Sequence, residues 1–204
     1  MPKTKQLGRD FYAQNTLQVA KELLGQRLVH MDNGQRLAGI ISEVEVYRGE
    51  EDQACHARAG FTNRTKVMYG PPGHAYVYFT YGMHWMLNFV TETEGYPAAV
   101  LIRAIQPVEG LKTIAARRVQ VAPQRWTDGP AKICQALGID ARHNGIDLCA
   151  SQSEIFVEME QQVSQTMITT GPRVGLNNVP EPWKSIPWRF RTSLAKAENI
   201  IDTL

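Results

Sequence analysis

Three cysteines, Cys55, Cys134 and Cys149, are all the chain has, and they form no CxxC pair. An odd, sparse set of this kind argues against a disulfide framework and for a reducing compartment. No run of eighteen apolar residues occurs, so nothing reads as a membrane span. The opening stretch MPKTKQLGRDFY lacks the apolar core of a secretion signal. The expectation is an intracellular protein without a membrane partner, cytoplasmic or, in a nucleated cell, nuclear. GxGxxG, P-loop, HExxH and Ser-His-Asp patterns are also missing, which argues against nucleotide-cofactor, zinc-protease and acyl-transfer chemistry. Repeats, low-complexity tracts and linkers are absent too. With 204 residues, 43% of them hydrophobic, one domain spanning 1–204 is expected.

What is present is a segregation of charge. The net charge is only +2, yet Glu43, Glu45, Glu50, Glu51 and Asp52 crowd one short segment with a single base, Arg48. From Cys55 to Thr91 there are bases (Arg58, Arg64, Lys66) and no acid at all. From Arg173 to Lys196 five bases face one acid, Glu181. Basic surfaces of this kind point to a polyanion partner, although ordinary solvated faces give the same pattern.

Periodicity supplies the elements. LQVAKELLG places Leu17, Ala20, Leu23 and Leu24 on one helical face, with Asn15 or Thr16 as cap and Gly25 as stop. RLVHM, the Asp32-Asn33-Gly34 turn and the run from Gln35 through IISEVEVY form a hairpin. Arg58 to Lys66 is loop-like. AYVYFTYGMHWMLNFV reads as a second hairpin, with Tyr81 beside Gly82 at its tip, where small polar residues are usual. Ala98–Ala104 predicts an apolar strand, Glu109–Val119 a helix, and AKICQALG after Asp128-Gly129-Pro130 a short helix ending at Gly138. Asn144-Gly145 is a turn, and Ile155, Val157 and Met159 alternate as a strand. Beyond Thr170 the chain is loop-like but packed. Strands outnumber helices and favour antiparallel hairpins, so the expected class is α+β.

Four features carry chemistry. Glu45 shares a strand face with Glu43 and Tyr47, opposite Val44 and Val46. The pattern favours a solvated edge strand; the other reading is a buried carboxylate, which requires a partner. Arg103, ending an apolar strand, either reaches solvent or pairs with such a carboxylate. Cys55-His56 invites a metal, but no second ligand pair stands at suitable spacing. Tyr47, His56, Tyr76 and Tyr78 are flat groups suited to line a pocket, with plain core as the other reading for Tyr76 and Tyr78. An aromatic at an exposed turn such as Tyr81 suggests a binding element or a wedge.

The blocks SEVEVYRGEEDQACHARAG, NRTKVMYGPPGHAYVYFTYGMHWMLN, AAVLIRAIQP, GPAKICQALGI and GPRVGL together resemble the alkyladenine (methylpurine) DNA glycosylases. DFYAQNTLQVAKELLGQRLV matches as well, so the resemblance runs from about Asp10 to Arg191. It implies a single compact domain around a curved antiparallel sheet with flanking helices and a protruding hairpin, no cofactor and no metal. It implies that Glu45 is the general base activating water, with Arg103 and the main-chain carbonyl near Val174 holding that water. Tyr47, His56 and Tyr78 would hold a flipped base, and Asn88 would disfavour guanine. Tyr81, with Met83, would intercalate. The partner would be duplex DNA bearing damaged purines such as 3-methyladenine, 7-methylguanine, hypoxanthine or ethenoadenine, bound by a monomer. The tail TSLAKAENIIDTL and the long NNVPEPWKSIPW depart from the family pattern.

The chemistry needs these residue types. A base inside a duplex must be extruded before it can be attacked. Aromatic walls attract a cationic purine, and one carboxylate suffices for so good a leaving group. Lys66, in the loop, has no apolar setting that would make it a nucleophile, which disfavours a lyase mechanism. Retention of both Glu45 and Arg103 argues against a non-catalytic binder of distorted DNA. A helix-hairpin-helix glycosylase, suggested by DGPAKICQALGI alone, does not suit a strand-rich chain.

Overall fold

Asn15 caps the first substantial helix, its side chain accepting from the Leu17 amide, so the helix begins where its spacing predicts. The computed structural model describes residues 5–193. A single turn, α1 (Arg9–Tyr12), precedes this helix, α2 (Thr16–Leu23). The first hairpin follows as β1 (Arg27–Asp32) and β2 (Gln35–Arg48), and the aromatic hairpin as β3 (Ala75–Thr80) and β4 (His84–Val90). The remaining elements are β5 (Ala98–Glu109), α3 (Leu111–Arg117), α4 (Pro130–Leu137), β6 (Ile155–Glu158), β7 (Ile168–Gly171) and β8 (Arg189–Thr192).

Five expectations need correction. The apolar strand expected to stop at Ala104 runs on to Glu109, and the helix expected from Glu109 to Val119 occupies only Leu111–Arg117. Pairing with β2 holds the extra residues extended through a register shift, so tertiary contact overrides local helical pattern. The loop-like 58–66 is framed by two short 3-10 turns, His56–Ala59 and Lys66–Tyr69. β6 ends at Glu158, leaving Met159 exposed. The segment after Thr170 does contain a strand, β8, which pairs with both β2 and β7. Its alternation of arginine with Phe190 and Thr192 is too short to stand out against the Pro- and Trp-rich stretch before it. Of the divergent tail, residues from 194 onward lie outside the described residues.

All strand pairs are antiparallel, in the order β3-β4-β5-β2-β1-β6, with β8 joined to β2 and β7 to β8. The class is α+β, a single domain around an open sheet. β2 is long enough to change partner: Gln35–Ile40 pairs with β1, and Glu43–Glu45 pairs with β8. Period two then splits the sheet. Val44, Val46, Val77, Leu87, Phe89, Val100 and Ile102 face the main core, with Val19, Ala20 and Leu23 of α2 and Ile133 and Leu137 of α4. Cys55, Met68, Tyr76 and Ala99 form a smaller cluster on the opposite face. That second face carries the cleft described below.

Two glycines test the backbone account. Both are left-handed, Gly25 at φ +84 and Gly34 at φ +80. A Cβ on Gly34 meets nothing within 4 Å, whereas on Gly25 it would stand 2.5 Å from the Gln161 carbonyl. Gly34→Ala should therefore cost about 1–2 kcal/mol, the left-handed penalty alone. Gly25→Ala should cost distinctly more, as measured by urea unfolding.

Candidate active site

Antiparallel register lays one row of residues across four strands. Tyr76 pairs with Asn88, Asn88 with Leu101, and Leu101 with Glu45. Residues in such a row point to one face of the sheet, and so do residues two positions along each strand. Tyr47, Tyr78 and Arg103 are related to the row in this way. Above them opens a cleft of about 330 Å³, at the lower end of the ~300–1,000 Å³ range of ligand pockets. Tyr47, His56, Tyr78, Tyr81, Asn88, Arg103 and Val174 all line it.

Glu45 lies under this floor and is 0% exposed, on an interior strand flanked by β5 and β8. The solvated-edge reading is thus overturned. An ionised carboxylate needs donors there, and it has three sources. Arg103 Nε stands 3.3 Å from Oε1, and its Nη1 donates to Oε2 at 3.4 Å. The Val174 amide donates to Oε1 at 2.7 Å, and the Tyr47 hydroxyl to Oε2 at 2.9 Å. Burial raises the Glu45 pKa above the ordinary carboxylate value, opposed by Arg103, the Val174 amide and Tyr47. Arg103 is in turn held from behind: its Nε donates to Glu43 Oε1 at 2.9 Å, and Arg189 Nε donates to the same oxygen at 2.7 Å.

The Val174 amide reaches Glu45 only because its neighbour is anchored. Arg173 and Asp52 side chains are both 0% exposed and form a two-pronged pair at 2.5 and 2.9 Å. Arg173 also donates to the carbonyls of Val46 and Trp183. Its guanidinium lies between the rings of Tyr47 and Trp188, 4.7 and 5.2 Å from their centroids. One arginine therefore fixes the loop, the strand and a cleft wall together. Sequence reasoning missed this pair. The one signal was Arg173 among Gly, Pro, Val and Leu; Asp52 stands among Glu50, Glu51 and Gln53, and both were seen only as members of two charge runs.

The walls are aromatic. His56 packs edge-on to Tyr78 at 4.5 Å, and Tyr76 lies 5.3 Å from Tyr78. Burial, with Arg64 and Arg58 nearby, pushes the His56 pKa down to about 4, so the ring is neutral at physiological pH. His56 Nδ1 is 3.0 Å from the Tyr76 hydroxyl, and Arg64 Nη2 is 3.4 Å from Nε2. Arg64 has no acceptor lone pair, so Nε2 accepts and Nδ1 carries the proton to Tyr76. Arg64 also sits over the Tyr78 ring at 5.2 Å. Asn88, 3% exposed, donates its amide to the Tyr76 carbonyl at 3.0 Å, which fixes the orientation of the group facing the cleft. The Cys55 thiol accepts from the Ala57 amide and is pushed up to about 12 by burial.

The hairpin ends at the cleft mouth. Tyr81 is 79% exposed and Met83 67% exposed. Tyr81 and Gly82 have φ +51 and +66, and Met83 N–H closes the turn on the Thr80 carbonyl at 3.2 Å. Two consecutive positive φ values are the tight-hairpin geometry that matches strand twist.

Along most of its length the chain is similar to known proteins. The Methylpurine-DNA glycosylase family profile matches residues 10–196. A protein of Desulfitobacterium hafniense (strain Y51) is 45% identical over 195 residues, 91% of this chain and 94% of its own length. One from Methanocella arvoryzae is 47% identical over 185 residues, 90% of both chains. One from Bacillus cereus (strain AH187) is 44% identical over 189 residues, 88% of this chain and 92% of its own. Each bears the name "Putative 3-methyladenine DNA glycosylase".

The buried pair yields a prediction. Asp52→Ala strands the Arg173 guanidinium in the interior and should cost about 3–5 kcal/mol by denaturant unfolding. A loss below about 1 kcal/mol would show that water reaches Arg173 freely.

Proposed function

Because the chain belongs to the methylpurine-DNA glycosylase family, we propose that it excises alkylated and deaminated purines from duplex DNA, as a monomer, by extruding the base and directing water at C1′. The protein is a DNA glycosylase, a hydrolase of N-glycosidic bonds, and its partner is DNA. The finer reading rests on one observation above others. A fully buried carboxylate, Glu45, sits beneath an aromatic cleft with an exposed tyrosine mounted at the cleft mouth.

Extrusion costs a few kcal/mol, least for a damaged pair. Stacking on aromatics returns about 1–3 kcal/mol per base. Tyr81, flanked by Met83, takes the place of the departed base, and Tyr47, His56 and Tyr78 enclose it. The exposed Arg58, Arg64 and Lys66 supply positive charge beside the cleft for the phosphates. A 3- or 7-alkylated purine is cationic and is attracted to such walls. In this reading the fixed amide of Asn88 meets the 2-amino group of guanine and disfavours it, and the positive charge of a 7-alkylated guanine, absent from the ordinary base, offsets that penalty.

In the chemical step the bond from C1′ to the purine nitrogen breaks, and the purine takes the electron pair. Positive charge develops on the sugar, which Glu45 stabilises. Water bonds to C1′ and gives its proton to Glu45. Arg103 keeps the carboxylate ionised despite burial, and the Val174 carbonyl holds the water. Alkylated purines depart neutral and need no acid. Water, not lysine, is the nucleophile, in keeping with the exposure of Lys66.

Glu45→Gln should reduce base release from methylated duplex DNA by at least about 100-fold while duplex binding persists. Wild-type release should rise with pH through an apparent pKa above the ordinary carboxylate value, because only deprotonated Glu45 accepts the proton; the limb should vanish in the variant. Equal release by the two proteins would refute the assignment. Tyr81→Ser should slow release from duplex more than from single strands. An equal effect on both substrates would eliminate the wedge.

A further inference from the structure

A second constellation shares no residue with the cleft. One ring nitrogen each of His30 and His143 and a carboxylate oxygen of Glu154 lie within 4.8 Å of one another. The three come from separate segments. His30 is on β1, His143 ends the 3-10 turn Ala141–His143, and Glu154 directly precedes β6, pinned to β1 by its carbonyl accepting from Met31 N–H at 2.7 Å. His30 is 2% and His143 3% exposed, while Glu154 is at the surface.

The committed nitrogens are those a ligating histidine commits. His30 Nδ1 lies 2.7 Å from the Leu137 carbonyl, which requires a proton on Nδ1 and leaves Nε2 as a lone pair. His143 Nδ1 is surrounded by Asp140: its amide at 3.0 Å, its carbonyl at 3.2 Å and its Oδ1 at 3.3 Å. In the free protein the amide can donate to this nitrogen. With a proton on Nδ1 instead, the carbonyl and Oδ1 accept it, and Nε2 of this ring is released as well. A backbone carbonyl or carboxylate behind each imidazole is the usual second layer of a metal centre.

Ring placement agrees. The two rings are 4.8 Å apart and nearly perpendicular, at 89°. Two imidazoles on one tetrahedral ion, with metal–nitrogen bonds of about 2.0–2.1 Å, have centroids roughly 5 Å apart. We propose that His30, His143 and Glu154 bind a divalent ion of the zinc type, with water completing the coordination. The ion would tie β1, the 3-10 turn and the start of β6 together, which is a structural role apart from base release.

The test uses the whole protein, freed of metal by chelation and desalting. Titration with Zn(II) should show one saturable equivalent per chain. Zn(II) at about 100-fold above its Kd should raise Tm by about 5 °C or more. Co(II) should give the visible absorption of a low-coordinate nitrogen–oxygen site, displaced by Zn(II). Glu154→Gln and His143→Gln should each weaken Zn(II) binding about 10-fold or more. Glu154 is exposed, so Glu154→Gln keeps the fold and the test stands even if a histidine variant does not fold. Absence of a saturable equivalent in wild type, or wild-type affinity in Glu154→Gln, would overturn the site and leave the rings as an edge-to-face packing pair.

Discussion

Keeping a carboxylate ionised inside the protein is the constraint on which the cleft depends. Glu45 has no contact with bulk water, and an unpaired charge there would cost several kcal/mol. Its donors come from three directions: Tyr47 on the same strand, Arg103 on the adjacent strand, and the Val174 amide on the loop between β7 and β8. The first two follow from sheet register. The third exists only if an irregular loop is held in place, and the buried Asp52–Arg173 pair does this. Aromatic walls then follow with little further expense, since alternate residues of β2 and β3 already point the same way.

Much of this was legible in the residues, and the failures share a cause. The two hairpins, the capped helix at Asn15 and the exposed tip tyrosine were set by local rules: turn chemistry, period two and capping. The burial of Glu45 was not, because alternation reveals which residues share a face but not whether that face is covered. β8 supplies part of the cover, and its four residues lie in a stretch whose prolines and tryptophans conceal it. The extension of β5 past Ala104 likewise depends on β2 lying alongside. Tyr76 stood undecided between core and wall, and it is both: 2% exposed, a member of the second cluster and a lining residue of the cleft.

The acidic segment illustrates the same point for charge. Five carboxylates in ten residues resemble a surface that would repel DNA. In the fold they turn to partners: Glu43 to Arg103 and Arg189, Glu45 to its three donors, Glu50 to the Tyr69 hydroxyl, Glu51 to the Tyr96 hydroxyl, and Asp52 to Arg173. The bases of the later segment divide as well. Arg173 is wholly internal, Arg189 is engaged by Glu43, and Lys184 and Arg191 remain exposed. Glu50 and Glu51 stay exposed and their tyrosine partners are neutral, so the segment keeps part of its surface charge while linear counts overstate the outer surface in both signs.

The left-handed backbone at Tyr81 bears on the wedge role proposed for that side chain. A tyrosine at φ +51 is held there against a preference of about 1–2 kcal/mol by the turn and the two strands behind it. Its main chain was therefore ordered when the polypeptide folded, and little freedom is left to lose on meeting stacked bases. Intact pairs vastly outnumber lesions, and a floppy tip would surrender entropy anew at every sound pair it sampled. A stiff one, in the wedge role proposed for Tyr81, would let rejection be quick, with scanning speed along undamaged sequence set by the deformability of the helix under test and not by the rearrangement of the reader.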